Sequence, residues 1–111
     1  MKHDVFISYS TKDKAVADAV CTALESNGVN CWIAPRNIEP GTPYARAIIN
    51  GIKETGLFLL VFTSNSNMSE HVINEVDIAF NANKEIISSF KQSVGMMPEN
   101  EAEKYFGVLK R

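Results

Sequence analysis

Apolar residues in this chain come in two patterns. Short unbroken runs alternate with segments of helical period. Val5-Phe6-Ile7 is the first run, suited to a strand covered on both faces. Ser10 or Thr11 then offers a side-chain oxygen to cap a helix, and Val16, Val20, Ala23 and Leu24 follow at 3.6-residue spacing. Asn27-Gly28 is its stop. Val29–Ile33 reads as a second strand, and a helix over Tyr44–Glu54 carries Ala45, Ile48, Ile49 and Ile52 on one face. Leu57–Phe62, six apolar residues between turn signals, reads as a central parallel strand. Thr63 to Asn67 reads as a polar loop. Asn67 and Glu70 form a capping-box pattern before a third helix, roughly Met68 to Asn83, with Val72, Val76, Ala79 and Phe80 inward. Lys84-Glu85-Ile86-Ile87 reads as a fourth strand. From Ser88 the pattern fades. Pro98 with Glu99 and Glu101 suits a helix start, and no fifth strand stands out.

The alternation predicts an α/β fold, a flavodoxin-like parallel sheet in the order 2-1-3-4 with helices on both faces. One domain over residues 1–111 accounts for the length, with an atypical part over 88–111. In such sheets ligands bind beyond the carboxyl ends of the strands. Here those ends are Ser8 to Thr11, the loop Ala34 to Pro43, and Thr63 to Asn67. The middle loop holds Pro35, Pro40, Pro43 and Gly41, which exclude helix and central strand. Its length in so small a domain points to a functional role.

Composition narrows the chemistry. With 11 Lys and Arg against 13 Asp and Glu, the net charge is −2, and no basic cluster suggests a nucleic-acid partner. No apolar stretch approaches the ~18 residues of a membrane span, so a soluble, cytoplasmic protein is expected. Cys21 and Cys31 are too few for a disulfide scaffold and read as two buried thiols. Neither CxxC nor HExxH spacing occurs, so no metal site is expected. No GxGxxG, GxxxxGK[ST] or GxSxG motif is present either. Among the polar residues near the strand ends, Glu75 stands out. It lies at the edge of the third helix's apolar face, four residues after His71, where a carboxylate could be half-buried and aim at the crevice. An ordinary solvated glutamate fits that position as well.

Several segments together carry a resemblance. Asp4-Val5-Phe6-Ile7-Ser8-Tyr9-Ser10 with Asp13 resembles the first signature box of TIR (Toll/interleukin-1 receptor) domains. Trp32 to Gly41 resembles the second box and its long loop in the prokaryotic form. Leu59 to Ser64, with Ser66 and Ser69, resembles the third strand and its serine-rich exit. His71-Val72-Ile73-Asn74-Glu75 resembles the W-V-x-x-E element of those TIR domains that are NAD-cleaving enzymes. The likeness is strongest over residues 4–87.

It implies an NAD+ glycohydrolase with Glu75 as the catalytic residue, releasing nicotinamide and ADP-ribose or a cyclic form, in defence or cell-death signalling. NAD+ is then a substrate, and no cofactor or metal is implied. Ser8, Tyr9 and Ser10 match the strand exit that contacts the nucleotide. Asn37, Gly41 and Tyr44 match the loop beside the nicotinamide end. His71 stands where the enzymes commonly carry Trp and would supply a smaller stacking surface. The loop Ala34 to Pro43 matches the surface through which TIR domains associate. The alternative implied by the same resemblance is a non-catalytic TIR–TIR interaction module. A receiver-like fold would want an acidic cluster at the first strand's exit, where this chain has serines.

Overall fold

The computed structural model describes residues 3–67 and 69–90 of the chain. Four strands, β1 (Val5–Ser8), β2 (Cys31–Ile33), β3 (Leu57–Phe62) and β4 (Glu85–Phe90), form one parallel sheet in the order β2-β1-β3-β4. The helices are α1 (Lys14–Glu25), α2 (Tyr44–Glu54), the single turn α3 (Ser64–Asn67) and α4 (Glu70–Asn81). A 3-10 turn, Thr11–Asp13, leads into α1.

Register fixes where the strand ends meet. Val5 pairs with Cys31 on one side and with Leu57 on the other, so the exits of β1, β2 and β3 lie at one edge. Every residue of β1 is buried, as an interior strand between two helical layers requires. On one face Ala17, Val20, Cys21 and Leu24 of α1 pack against Val5, Ile7, Leu59 and Val61. On the other, Phe6 stacks on Trp32 and on Phe58, with centroids 4.9 and 5.5 Å apart, beneath Ile48 and Ile52 of α2 and Ala79 of α4. Gly51 lets α2 approach the Trp32 ring, which a Cβ there would meet at 2.6 Å. Gly28, at φ +82°, turns the chain after α1 as its Asn-Gly signal implies.

β2 begins at Cys31 rather than Val29, because the Asn30 carbonyl is taken by the amides of Asp4 and Val5 as an entry clasp. The run after β3 is not all loop, since Ser64–Asn67 makes a helical turn. α4 opens at Glu70 after Ser69, in place of the Asn67–Glu70 box, and Ser69 makes no side-chain capping bond. β4 runs on to Phe90, with Ser88 to Phe90 paired to Leu60 to Phe62. Two helical stripes are rotated from the expected ones. α2 buries Ala47, Ile48, Gly51 and Ile52 and leaves Ala45 and Ile49 outside, while Phe80 of α4 is 71% exposed. The expectations for Pro98 and beyond lie outside the described residues. Among the described residues, no helix is long and apolar enough to cross a membrane.

Candidate functional site

At the carboxyl edge of the sheet an open cleft of about 230 Å³ lies between the exits of β1 and β2, the start of α2 and the first turns of α4. Phe6 and Ile48 give it an apolar base. Tyr9, Tyr44, His71 and Glu75 bring the polar atoms, and Ala34-Pro35 closes one side.

Glu75 is 5% exposed, while Asn74 and Asp77 of the same helix are exposed. It follows Val72 by three residues and precedes Ala79 by four, which turns it toward the sheet with them. There the Ser8 hydroxyl donates to its Oε1 at 2.7 Å. Burial pushes the Glu75 carboxyl above the usual carboxylate range; the Ser8 hydrogen bond and the nearby His71 pull it partly back. Ser8, the last residue of β1, is fully buried, so its hydroxyl serves the carboxylate from beneath and does not border the cleft.

Two further contacts set the walls. His71 Nε2 donates to the Tyr9 carbonyl at 3.0 Å, and on the neutral ring Nδ1 accepts from the Ser69 hydroxyl at 3.0 Å. The imidazole is thereby held one helical turn from Glu75. The Tyr9 phenol donates to the Ala34 carbonyl at 2.6 Å, tying the exit of β1 to the start of the long loop. Tyr44, at the N-terminus of α2, is 54% exposed; burial of its phenol and the charge of Glu75 raise its pKa.

The cleft thus gathers Tyr9, Tyr44, His71 and Glu75 from the residues singled out in the sequence, with Ser8 behind the carboxylate. It does not gather the others. Ser10 is buried, and its hydroxyl accepts from the Lys12 amide as the cap of the 3-10 turn. Asn37 lies on the far side of the loop, where its Oδ1 accepts from the Ile33 amide at 3.0 Å and its Nδ2 faces His3 at 3.4 Å. Gly41 takes φ +87° in the loop, away from the cleft lining. Phe6, Thr11, Pro35 and Ile48 also line the cleft, and the sequence did not single them out as site residues. Phe6 and Ile48 read as core by periodicity, which gives no sign that one edge of each faces a ligand space.

Behind the neighbouring strand exit, Asp13 is 3% exposed and accepts from Thr63 Oγ1 and, at 3.0 Å, from Asn65 Nδ2. This network shapes the α3 turn, and Asp13 does not line the cleft.

Known structures share the architecture. The TIR domain of the Toll-related receptor TRR-2 from Hydra magnipapillata superposes with a TM-score of 0.80 at 16% identity, covering 98% of this chain and 99% of that one. A metazoan TIR-STING receptor from C. gigas gives 0.78 at 20% identity, covering all of this chain and 42% of that one. The CMP N-glycosidase BcmB of Clostridium botulinum gives 0.57 at 21% identity, over 96% and 80%. No curated protein matches the chain. A family model described as the TIR domain matches residues 5–99, a span that contains the whole sheet and every residue of the cleft, and the chain belongs to the TIR domain family.

Proposed function

We propose that this TIR domain is an NAD+ glycohydrolase that cleaves the nicotinamide N-glycosidic bond, leaving ADP-ribose or a cyclic form of it. The observation that carries the reading is the Glu75 carboxylate, buried at a cleft edge and held by one hydroxyl donor at 2.7 Å. Glycoside hydrolysis usually takes two carboxyl groups, one of them to protonate the leaving oxygen. Nicotinamide in NAD+ is already cationic and leaves without a proton. What remains is to stabilise positive charge growing on the ribose, and a preorganised anion in a partly dry site does so. The same carboxylate can hold the ribose hydroxyls. Tyr44 and His71 supply ring faces for the nicotinamide end and the base, and Tyr9 lines the same cleft. Support for N-glycosidic chemistry on this architecture comes from BcmB, which by its name is an N-glycosidase.

An adaptor that only binds other TIR domains has no use for an anion at that spot. The loop Ala34 to Pro43 would bring copies together in either case, and the setting we assign is defence or cell-death signalling. The test is nicotinamide release from NAD+ by the wild type and by Glu75→Gln. The amide is isosteric, so folding is retained. Turnover is expected to fall roughly 100-fold or more, with substrate binding changed less. Equal rates in two well-folded proteins would remove Glu75 from catalysis. Absence of cleavage by the wild type, even at high protein concentration, would favour the interaction module.

A further inference from the structure

On the face of the sheet away from the cleft, two elements bring together side chains that sequence spacing keeps apart. Cys21 and Glu25 lie one turn apart on α1, and Cys31 opens β2, which packs beside that helix. Their Sγ and carboxylate oxygen atoms all lie within 4.8 Å of one another. Both thiols are free and buried, at 4% and 1% exposure, while the Glu25 side chain is 38% exposed. An open cleft bordered by His3, Glu25, Asn30, Cys31, Arg36 and Asn37 reaches two of the three, Glu25 and Cys31, from solvent, with Cys21 behind them.

We propose that Cys21, Cys31 and Glu25 form a binding site for a zinc ion, with water from the cleft as fourth ligand. Tetrahedral zinc has Zn–S bonds of about 2.3 Å and Zn–O bonds of about 2.1 Å, which sets sulfur atoms about 3.8 Å apart. Side-chain rotations closing under about an ångström therefore bring the three ligands to bonding distance. Two soft thiolates and one carboxylate in this geometry select zinc over the hard divalent cations.

Arg36 completes the charge balance. Its Nη1 and Nη2 donate to the two Glu25 oxygens at 2.9 and 2.7 Å, and Nη2 also donates to the Cys31 carbonyl at 2.8 Å. Without metal the Cys21 thiol and the Cys31 amide also reach the Glu25 carboxylate; loss of the thiol proton vacates one lone pair, so Glu25 can hold the guanidinium and the ion together. Without metal the group is neutral, with two thiols and one ion pair. On binding, both thiols give their protons to solvent and two Zn–S bonds form. The negative charges of two thiolates and a carboxylate are then cancelled by the ion and the guanidinium. Neither state buries a net charge, which is the usual obstacle to an ionic site in a core. The assignment stands apart from the Glu75 cleft and does not depend on it.

The test uses the fully reduced 111-residue chain without oxygen, titrated with Co2+ as the spectroscopic probe and then with Zn2+. A thiolate-to-cobalt charge-transfer band with tetrahedral d–d bands, saturating at one ion per chain and erased by Zn2+, is expected. Cys21→Ala and Cys31→Ala, checked for folding by circular dichroism, should each abolish the band. Glu25→Gln, which removes the charge of a direct ligand at the exposed rim, should weaken Co2+ binding by at least about 10–100-fold, the scale already reached when only a group supporting a ligand is lost. It decides the matter should a cysteine variant not fold. No charge-transfer band from the reduced wild type, or unchanged Co2+ affinity in Glu25→Gln, would overturn the site.

Discussion

Replacing Ser8 by alanine removes one oxygen from the molecule, and its effect should depend on pH in a way that identifies the role of that oxygen. The hydroxyl donates to Glu75 at 2.7 Å inside the fold, where water cannot substitute. A hydrogen bond to a charged group contributes about 1.5–3 kcal/mol, and one between neutral groups about 1 kcal/mol. The ionised carboxylate therefore loses about 0.5–2 kcal/mol more than the neutral acid does, a range centred near one pH unit. If turnover requires ionised Glu75, the acid limb of the pH–rate profile should move up by about one unit. Activity measured on that limb should fall about tenfold and recover at higher pH.

Stability gives an independent reading of the same shift. Burial raises the folded-state pKa of Glu75 above its unfolded value. The native state then holds its proton longer, and wild-type stability falls as pH rises from the ordinary carboxylate range through the raised folded value. In Ser8→Ala that decline should continue about one unit further. The deficit against wild type should be about 1 kcal/mol below pH ~4 and about 2 kcal/mol once both proteins are ionised. Nicotinamide release across pH, with urea midpoints at the same pH values, measures both. A uniform loss of rate at every pH, or a stability deficit independent of pH, would refute the reasoning.

Glu75→Gln should be more stable than wild type at neutral pH and indistinguishable from it below pH ~4, because the amide escapes the desolvation that raises the carboxyl; urea midpoints check this. Gly51→Ala should cost about 1–3 kcal/mol, read by thermal or urea unfolding, since its Cβ would meet the Trp32 ring at 2.6 Å and the stacked Phe6 blocks the ring's retreat. Phe80→Ser should change stability by less than about 0.5 kcal/mol, because the ring is 71% exposed. If copies associate through the loop Ala34 to Pro43, specific activity should rise with protein concentration; strict proportionality over a wide dilution series would argue for a self-sufficient monomer.

The strands were legible in the sequence because burial on both faces writes them as continuous apolar runs, and β3 and α2 match their expected bounds. What escaped was set by contacts between distant residues. The α3 turn depends on Asp13, which reaches Thr63 and Asn65 from fifty positions away. β4 turns polar at Ser88 and Ser89, and its pairing with β3 carries the strand through them to Phe90. Phe80 followed the helical period closely enough to look internal, yet the face that α4 turns to the sheet is centred on Val72, Glu75 and Ala79. The cleft was partly legible for the same reason. Glu75, His71 and Tyr44 carried motif signals, whereas the placement of Asn37 behind the loop follows from its bond to the Ile33 amide, a local turn that its position in a signature segment does not reveal.

The hydrogen bond between Ser8 and Glu75 spans 67 positions of the chain. A cut in the turn at Thr55-Gly56, between α2 and β3, would leave Ser8, Tyr9 and Tyr44 on one fragment and His71 and Glu75 on the other. Neither fragment would own a cleft, and β1 and β3, which are neighbours in the sheet, would have to find each other again for one to exist. The chain is therefore a natural candidate for a split reporter, silent as two pieces and restored when fused partners bring them together. The central ladder would serve as the seam, and recovery of the site would report directly on reassembly.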